Sequence, residues 1–243
     1  MAKHLEIREK RRQRRKKQRL TTIMMIIGVV LIFTAILMIP TIQSLINPGG
    51  NYSLPEEVSR TSVNANTAGN PEAPVTIKIF SDFGCGHCGN FALSTGQELF
   101  KRYVSNDLVY LEYNSVGSML GHPNSLTTAE AAYCAGDQNR FWDYHDMLYT
   151  NQAVLFASMN QTADRTLIAY AEALGLDGDE FSDCLESKRY QEEVAEDFNE
   201  ALDAGVSSTP TFFVNDKQLI GNIPIEEFQR EIDFALAKAD LDT

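Results

Sequence analysis

Val75-Thr76-Ile77-Lys78-Ile79-Phe80-Ser81-Asp82-Phe83-Gly84-Cys85-Gly86-His87-Cys88 is the stretch on which the reading of this chain turns. Its first six residues are rich in β-branched types, the pattern of a strand. Ala92, Gly96, Leu99, Phe100 and Tyr103 then fall at helical spacing, and Leu108–Tyr113 (LVYLEY) is a second strand-like run. Strand, helix and strand over so short a span predict a right-handed βαβ unit. The two cysteines sit where the strand ends and the helix begins. A thiolate at Cys85 would face unpaired backbone N–H groups and the positive end of the helix dipole, both of which favour the anion. Cys88, one turn inside, is placed to attack a disulfide formed on Cys85 while being less open to substrate. His87, between them, can donate to that thiolate or, when protonated, pair with it.

A Cys-x-x-Cys pair can also be half of a zinc site or a structural disulfide. Structural zinc needs four ligands, commonly from a second short-spaced pair. The other two cysteines, Cys134 and Cys184, lie 50 residues apart, and no second Cys-x-x-Cys exists. Cys134 and Cys184 have three readings of their own: a structural disulfide, two free buried thiols, or a relay that exchanges electrons with Cys85 and Cys88. The first is favoured, and on the chain-entropy argument it would stabilise the fold by about 4 kcal/mol.

Toward the carboxyl terminus the period becomes helical from about 124 to 203. Phe141, Trp142, His145, Leu148 and Tyr149 form one apolar stripe, and Leu167, Ile168, Ala171 and Leu174 form another that ends at Gly175. His145 and Trp142 read as core on this pattern. Thr211–Val214 and Gln218–Ile220 bracket a hairpin turn, and Pro224 opens a last helix with Phe228, Ile232 and Leu236 inward. Pro210, heading the run after Ser208-Thr209, invites either a cis peptide bond or an edge strand. His122-Pro123 reads as a turn before the helical block, with lining of a substrate groove as its alternative. Asp177-Gly178-Asp179-Glu180 reads as a solvated turn and helix start rather than a calcium loop, lacking the longer ladder of ligands.

Toward the amino terminus, residues 40–70 carry Asn47-Pro48-Gly49-Gly50, Leu54-Pro55 and a Ser/Asn/Thr-rich run with no apolar period, and are expected to be a flexible linker. Leu20–Ile39 (LTTIMMIIGVVLIFTAILMI) carries no charge and at 1.5 Å per residue matches a hydrocarbon core of ~30 Å. A transmembrane helix is favoured over a cleaved signal peptide, whose apolar region is shorter and ends at a small-x-small site. Ten of the 21 Lys+Arg residues fall in residues 1–19 beside Glu6 and Glu9, leaving 11 basic against 31 acidic residues in the remainder. The acidic remainder argues against a nucleic-acid-binding domain, and a basic tail beside a single span is expected to stay cytoplasmic. A hydrophobic content of 44% with 13 Phe and 9 Tyr is enough for a core, which excludes a disordered or low-complexity chain.

Phe80–Cys88, the inserted block with Gln138-Asn139-Arg140-Phe141-Trp142-Asp143-Tyr144-His145-Asp146, and Gly205-Val206-Ser207-Ser208-Thr209-Pro210-Thr211-Phe212-Phe213-Val214-Asn215 together resemble a membrane-anchored DsbA-like thiol:disulfide oxidoreductase of the thioredoxin superfamily. The resemblance covers about residues 71–239. It implies an α/β, thioredoxin-like fold with a helical insertion at about 124–203, forming a domain over 71–243 and preceded by one transmembrane helix. It further implies Cys85 as nucleophile, Cys88 as resolving thiol and His87 as thiolate stabiliser, with a cis Thr209–Pro210 bond beside them in a groove for extended substrate. No cofactor beyond the redox-active Cys85–Cys88 disulfide and no metal is implied. The implied partners are exported proteins with thiols and a quinone-linked, DsbB-like or VKOR-like membrane protein that restores the disulfide, with the catalytic domain outside the cytoplasm. Two departures bear on direction and mechanism. Gly86-His87 also resembles the dipeptide of protein disulfide isomerases, so isomerase or reductase activity stands beside the oxidase reading. A non-catalytic anchored chaperone using the same groove is the alternative from another class, and the intact cysteine pair argues against it. Many family members also bear a carboxylate six positions before the first cysteine, where this chain has Ile79, so the proton acceptor of Cys88 is unassigned.

Overall fold

The computed structural model describes the backbone of residues 2–46, 51–58, 60, 62–117, 121–158 and 163–241. The chain forms two units, residues 1–48 and 49–243. The first is helix α1 (Ala2–Ile46), within which Arg15–Ile39 is long and apolar enough to cross a membrane. The basic tail and the apolar run are thus one helix, which also takes in the first residues expected to be linker. Lys, Arg, Glu and Gln are good helix formers, and the apolar character continues through Ile42, Leu45 and Ile46.

The second unit is built on a six-stranded sheet whose strands, in spatial order, are β1 (Val63–Asn64), β2 (Thr67–Ala68), β4 (Val109–Ser115), β3 (Val75–Ser81), β5 (Thr211–Val214) and β6 (Lys217–Ile220). Its centre is the expected βαβ unit. β3 (Val75–Ser81) pairs in parallel with β4 (Val109–Ser115), and helices α2 (Gly86–Ala92) and α3 (Thr95–Arg102) lie between them in sequence. Val75, Ile77 and Ile79 alternate into the main core, whereas Phe80 belongs to a smaller cluster with Val116, Ala201 and Val206. The carboxyl-terminal hairpin β5 (Thr211–Val214) and β6 (Lys217–Ile220) adds to β3 antiparallel, and α10 (Ile225–Leu241) buries Phe228 and Ile232.

Between β4 and β5 the inserted block comprises α4 (Ser125–Asp137), α5 (Phe141–Thr150), α6 (Gln152–Ser158), α7 (Ala163–Ala173), α8 (Gly178–Glu186) and α9 (Gln191–Asp203). Gly175, at φ +80°, ends α7 where a side chain would be strained. Asp177 caps α8, its carboxylate accepting the Asp179 and Glu180 N–H groups. Cys134 of α4 and Cys184 of α8 are joined by a disulfide, with Cα atoms 5.9 Å apart and both residues buried.

The expected linker needs correction. Residues 47–50 lie outside the described residues, but much of the segment from Ser53 to Ala68 is fixed to the domain. β1 (Val63–Asn64) and β2 (Thr67–Ala68) form a small antiparallel pair that extends the sheet beside β4. Ser53 exchanges two hydrogen bonds with the Asn151 side chain, and buried Arg60 pairs with Asp146 at 2.6 Å. Strands of two residues are too short to display alternation, and the anchoring partners lie about 80–100 residues away in sequence, so no local pattern marks them.

Candidate active site

Cys85 occupies the N-cap of α2 in extended backbone, and its carbonyl accepts the N–H groups of Cys88 and Gly89. That arrangement has a local cause: strand β3 ends at Ser81, and Asp82 makes a turn whose side chain accepts the Gly84 N–H at 2.8 Å. Both thiols are free and buried, Cys85 at 5% exposure and Cys88 at 0%. The Thr209–Pro210 bond is cis, and Cys85 Sγ lies 3.5 Å from the Thr209 carbonyl oxygen. Residues distant in sequence thus form one site.

The two thiols are unequal. Cys85 is lowered from the usual thiol value to about 5. The main cause is donation from the Cys88 thiol, which outweighs the opposing effect of burial; the Thr209 hydroxyl and the backbone N–H groups of Cys88 and His87 add to it. Cys88 is pushed well up, first by burial and then by the negative charge it faces on Cys85, with the Ser81 hydroxyl opposing. The proton of the pair therefore resides on the inner sulfur. His87 enters through its backbone N–H, while its imidazole is exposed.

Several supporting side chains escape sequence reasoning. Asp82 is fully buried; its Oδ1 accepts the Ser125 hydroxyl as well as the Gly84 N–H, and its Oδ2 lies 2.7 Å from His122 Nδ1. His122 is pressed against the cysteine loop, since a Cβ on Gly84 would come within 2.5 Å of the His122 Cβ. The His122-Pro123 turn thus reaches the loop that carries Cys85. Gln152 donates to the carbonyls of Phe83 and Cys85 at 2.7 and 2.9 Å, pinning the loop from α6. Behind Cys88, Ser81 Oγ, Tyr149 Oη and Tyr113 Oη form a buried hydrogen-bonded chain at 2.8 and 2.9 Å. The rings of Phe83, Tyr113, Tyr149 and His145 pack together beneath the loop. For His122 the sequence offered a groove position as an alternative to a turn, and for His145 and Tyr149 an apolar stripe; for Gln152 and Asp82 no more than the Asp at a turn position before Gly84 was available.

Chemically, an activated thiolate at a helix start, a second thiol one turn away and the Thr209 carbonyl alongside can exchange disulfides with an extended polypeptide. Among the described residues no group of three or more His, Cys, Asp or Glu is arranged to hold a metal ion.

Comparison with known proteins agrees with this architecture. The chain is 38% identical over 168 residues to Na(+)/H(+) antiporter NhaA 1 of Salinispora arenicola, a match covering 68% of this chain and 24% of the relative. It thus spans about a quarter of that relative's length. It is 27% identical over 216 residues to the Probable disulfide bond formation protein D of Bacillus cereus, covering 87% of this chain and 96% of that one. The crystal structure of alpha-DsbA1 from Wolbachia pipientis superposes with a TM-score of 0.63 at 20% identity, over 75% of this chain and 96% of that one. The family model described as thioredoxin matches residues 61–234, and the chain belongs to the thioredoxin family, with a DsbA-like fold.

Proposed function

We propose that this chain is an extracytoplasmic thiol:disulfide oxidoreductase that donates the Cys85–Cys88 disulfide to thiols of secreted or membrane proteins. The observation that carries the reading is the inequality of the two thiols. A substrate thiolate attacks Cys85 Sγ, the bond to Cys88 breaks, and Cys88 leaves as a thiolate that takes up a proton. A second substrate thiolate then attacks the mixed disulfide, and Cys85 leaves as a stabilised anion. Stabilising that leaving thiolate stabilises the reduced protein, which makes the disulfide a stronger oxidant. The name of the Bacillus cereus relative, which covers nearly the whole chain, points the same way. The antiporter name belongs to chains of which this one covers about a quarter and is not carried over. The apolar helix with its basic flank supports a single membrane anchor with residues 1–19 cytoplasmic, and a quinone-linked membrane protein would return the disulfide.

Equilibration of the purified chain with glutathione buffers tests the direction. A potential above that of the extracytoplasmic thiol pool is expected, and one well below it would make the chain a reductase. Protease added to spheroplasts should degrade the domain; protection of the domain would reverse the orientation.

A further inference from the structure

We propose that His145, on helix α5 of the inserted block, takes the proton of Cys88 when that thiol closes the disulfide, across an enclosed cavity that both residues line. The inference rests on the redox reading of the Cys85–Cys88 pair and names the base that reading lacks.

Closing the disulfide requires Cys88 to lose a proton inside the protein. The groups around it are few. The Tyr113 and Tyr149 hydroxyls are fully buried and pushed well above the usual phenol value by that burial, so they stay protonated and serve only as hydrogen-bonding groups. Asp82 has both carboxylate oxygens engaged, by Gly84 and Ser125 on one and His122 on the other. Ile79 is apolar. The cavity of about 20 Å³ beside Cys88 is lined by Ser81, Tyr113, His145 and Arg60 among otherwise apolar walls. That volume is large enough for one water molecule, and Ser81, Tyr113, His145 and Arg60 are the polar side chains on its wall.

His145 has the chemistry of an acceptor. Its Nδ1 lies 2.9 Å from Asp146 Oδ1, which leaves Nε2 as the nitrogen able to receive a proton. Burial lowers its pKa, so the ring rests neutral, while the Asp146 carboxylate favours the imidazolium once it forms. The charged and titratable groups around the ring are Asp146 on its own helix, Arg60 from the amino-terminal segment, Tyr149 and Tyr113, with Cys88 across the cavity. Arg60 is an independent sign of a polar path. Its side chain is 5% exposed, its Nη2 pairs with Asp146, and its buried Nε and Nη1 have no hydrogen-bond partner among the described residues. Arg60, Asp146 and Trp142 also line an open groove bounded by residues 54–58, which gives the proton a way out.

With Cys85 held in a mixed disulfide its negative charge is gone, which removes the second cause that raises Cys88; burial, the first, remains, so the proton needs an acceptor inside the protein. Cys88 S–H passes its proton across the cavity to His145 Nε2. The freed electron pair on Cys88 Sγ forms the bond to Cys85 Sγ, the Cys85–partner S–S bond breaks, and its electron pair leaves on the partner sulfur. In the donating direction the same path returns a proton to Cys88.

Ellman's reagent separates the steps in one stopped-flow trace: attack by reduced Cys85 releases a first coloured thiolate, and resolution by Cys88 releases a second. His145→Gln should slow the second phase by roughly 100-fold and leave the first within about twofold. The variant's second phase should also rise with hydroxide where that of the unsubstituted protein levels off. A second phase of ordinary rate and pH profile, or an equal slowing of both phases, would overturn the proposal. Absence of a fast first phase in the unsubstituted protein would instead sink the redox reading itself. Should His145→Gln not fold, ¹⁵N-histidine NMR of the unsubstituted protein decides. The His145 titration must differ between the reduced and disulfide forms, and identical titrations refute the relay.

Discussion

The chain carries two cysteine pairs that differ in everything except the atoms involved. Cys85 and Cys88 are two residues apart around a helix start, free, and split by their surroundings into a thiolate and a thiol. Cys134 and Cys184 are separated by 50 residues, lie on two packed helices, and are bonded. Backbone N–H groups and a neighbouring donor make the first pair exchangeable. The second is buried, and its helix neighbours Ala131, Ala135, Phe181 and Leu185 are buried apolar residues too. The contrast predicts that exchange is confined to the first pair and that the second serves the scaffold.

The sharpest way to break that division is at the first pair. Cys85→Ser should abolish exchange, whereas Cys88→Ser should still attack and accumulate mixed disulfides with exported proteins, seen as reductant-sensitive bands. Equal loss in both variants would remove the distinction between attacking and resolving thiols. Next in size, Cys134→Ala should lower unfolding free energy by up to about 4 kcal/mol in urea titrations and leave the Cys85 attack rate unchanged. Lost turnover at unchanged stability would make the second pair a relay.

A third prediction uses pH to pull scaffold and active site apart. Asp197 on α9 accepts the Ser115 N–H and the Tyr133 hydroxyl beside Cys134, and burial raises its pKa to about 7. Because the folded value lies above the unfolded one, the stabilisation is fully present below about pH 4 and is lost as pH rises through about 7. Asp197→Asn should flatten that fall, gaining a few kcal/mol at pH 8 relative to the parent. For Cys85 the sign is opposite: its depressed value favours the reduced fold at high pH, and that benefit disappears as pH falls through about 5. The smallest expected effect is at His87, whose ring is exposed. His87→Ala should move the Cys85 titration, followed by thiolate absorbance, by less than about one unit. A larger displacement would return the imidazole to the role its position in the motif suggested.

Local chemistry was legible and long-range chemistry was not. A strand ending in Cys-x-x-Cys at a helix start, the helical periods from 124 to 203 and the Pro210 strand all announce themselves through neighbours within a few residues. Arg60 with Asp146, Asp82 with His122, and Gln152 with the Phe83 and Cys85 carbonyls depend on chain segments that meet only after folding. His145 shows the ambiguity plainly, because an apolar stripe gives the same pattern whether the buried ring is filler or acceptor.

The two hydrogen bonds from Gln152 have a consequence for anyone building hybrids of such proteins. Helix α6 belongs to the inserted block, yet it grips the loop that displays the reactive sulfur, while Tyr149 and His145 of α5 sit beneath it. A graft that exchanges the block for one from a relative therefore also exchanges the mounting of the nucleophile. The boundaries at which this fold can be cut and rejoined without altering its chemistry enclose sheet and insertion together.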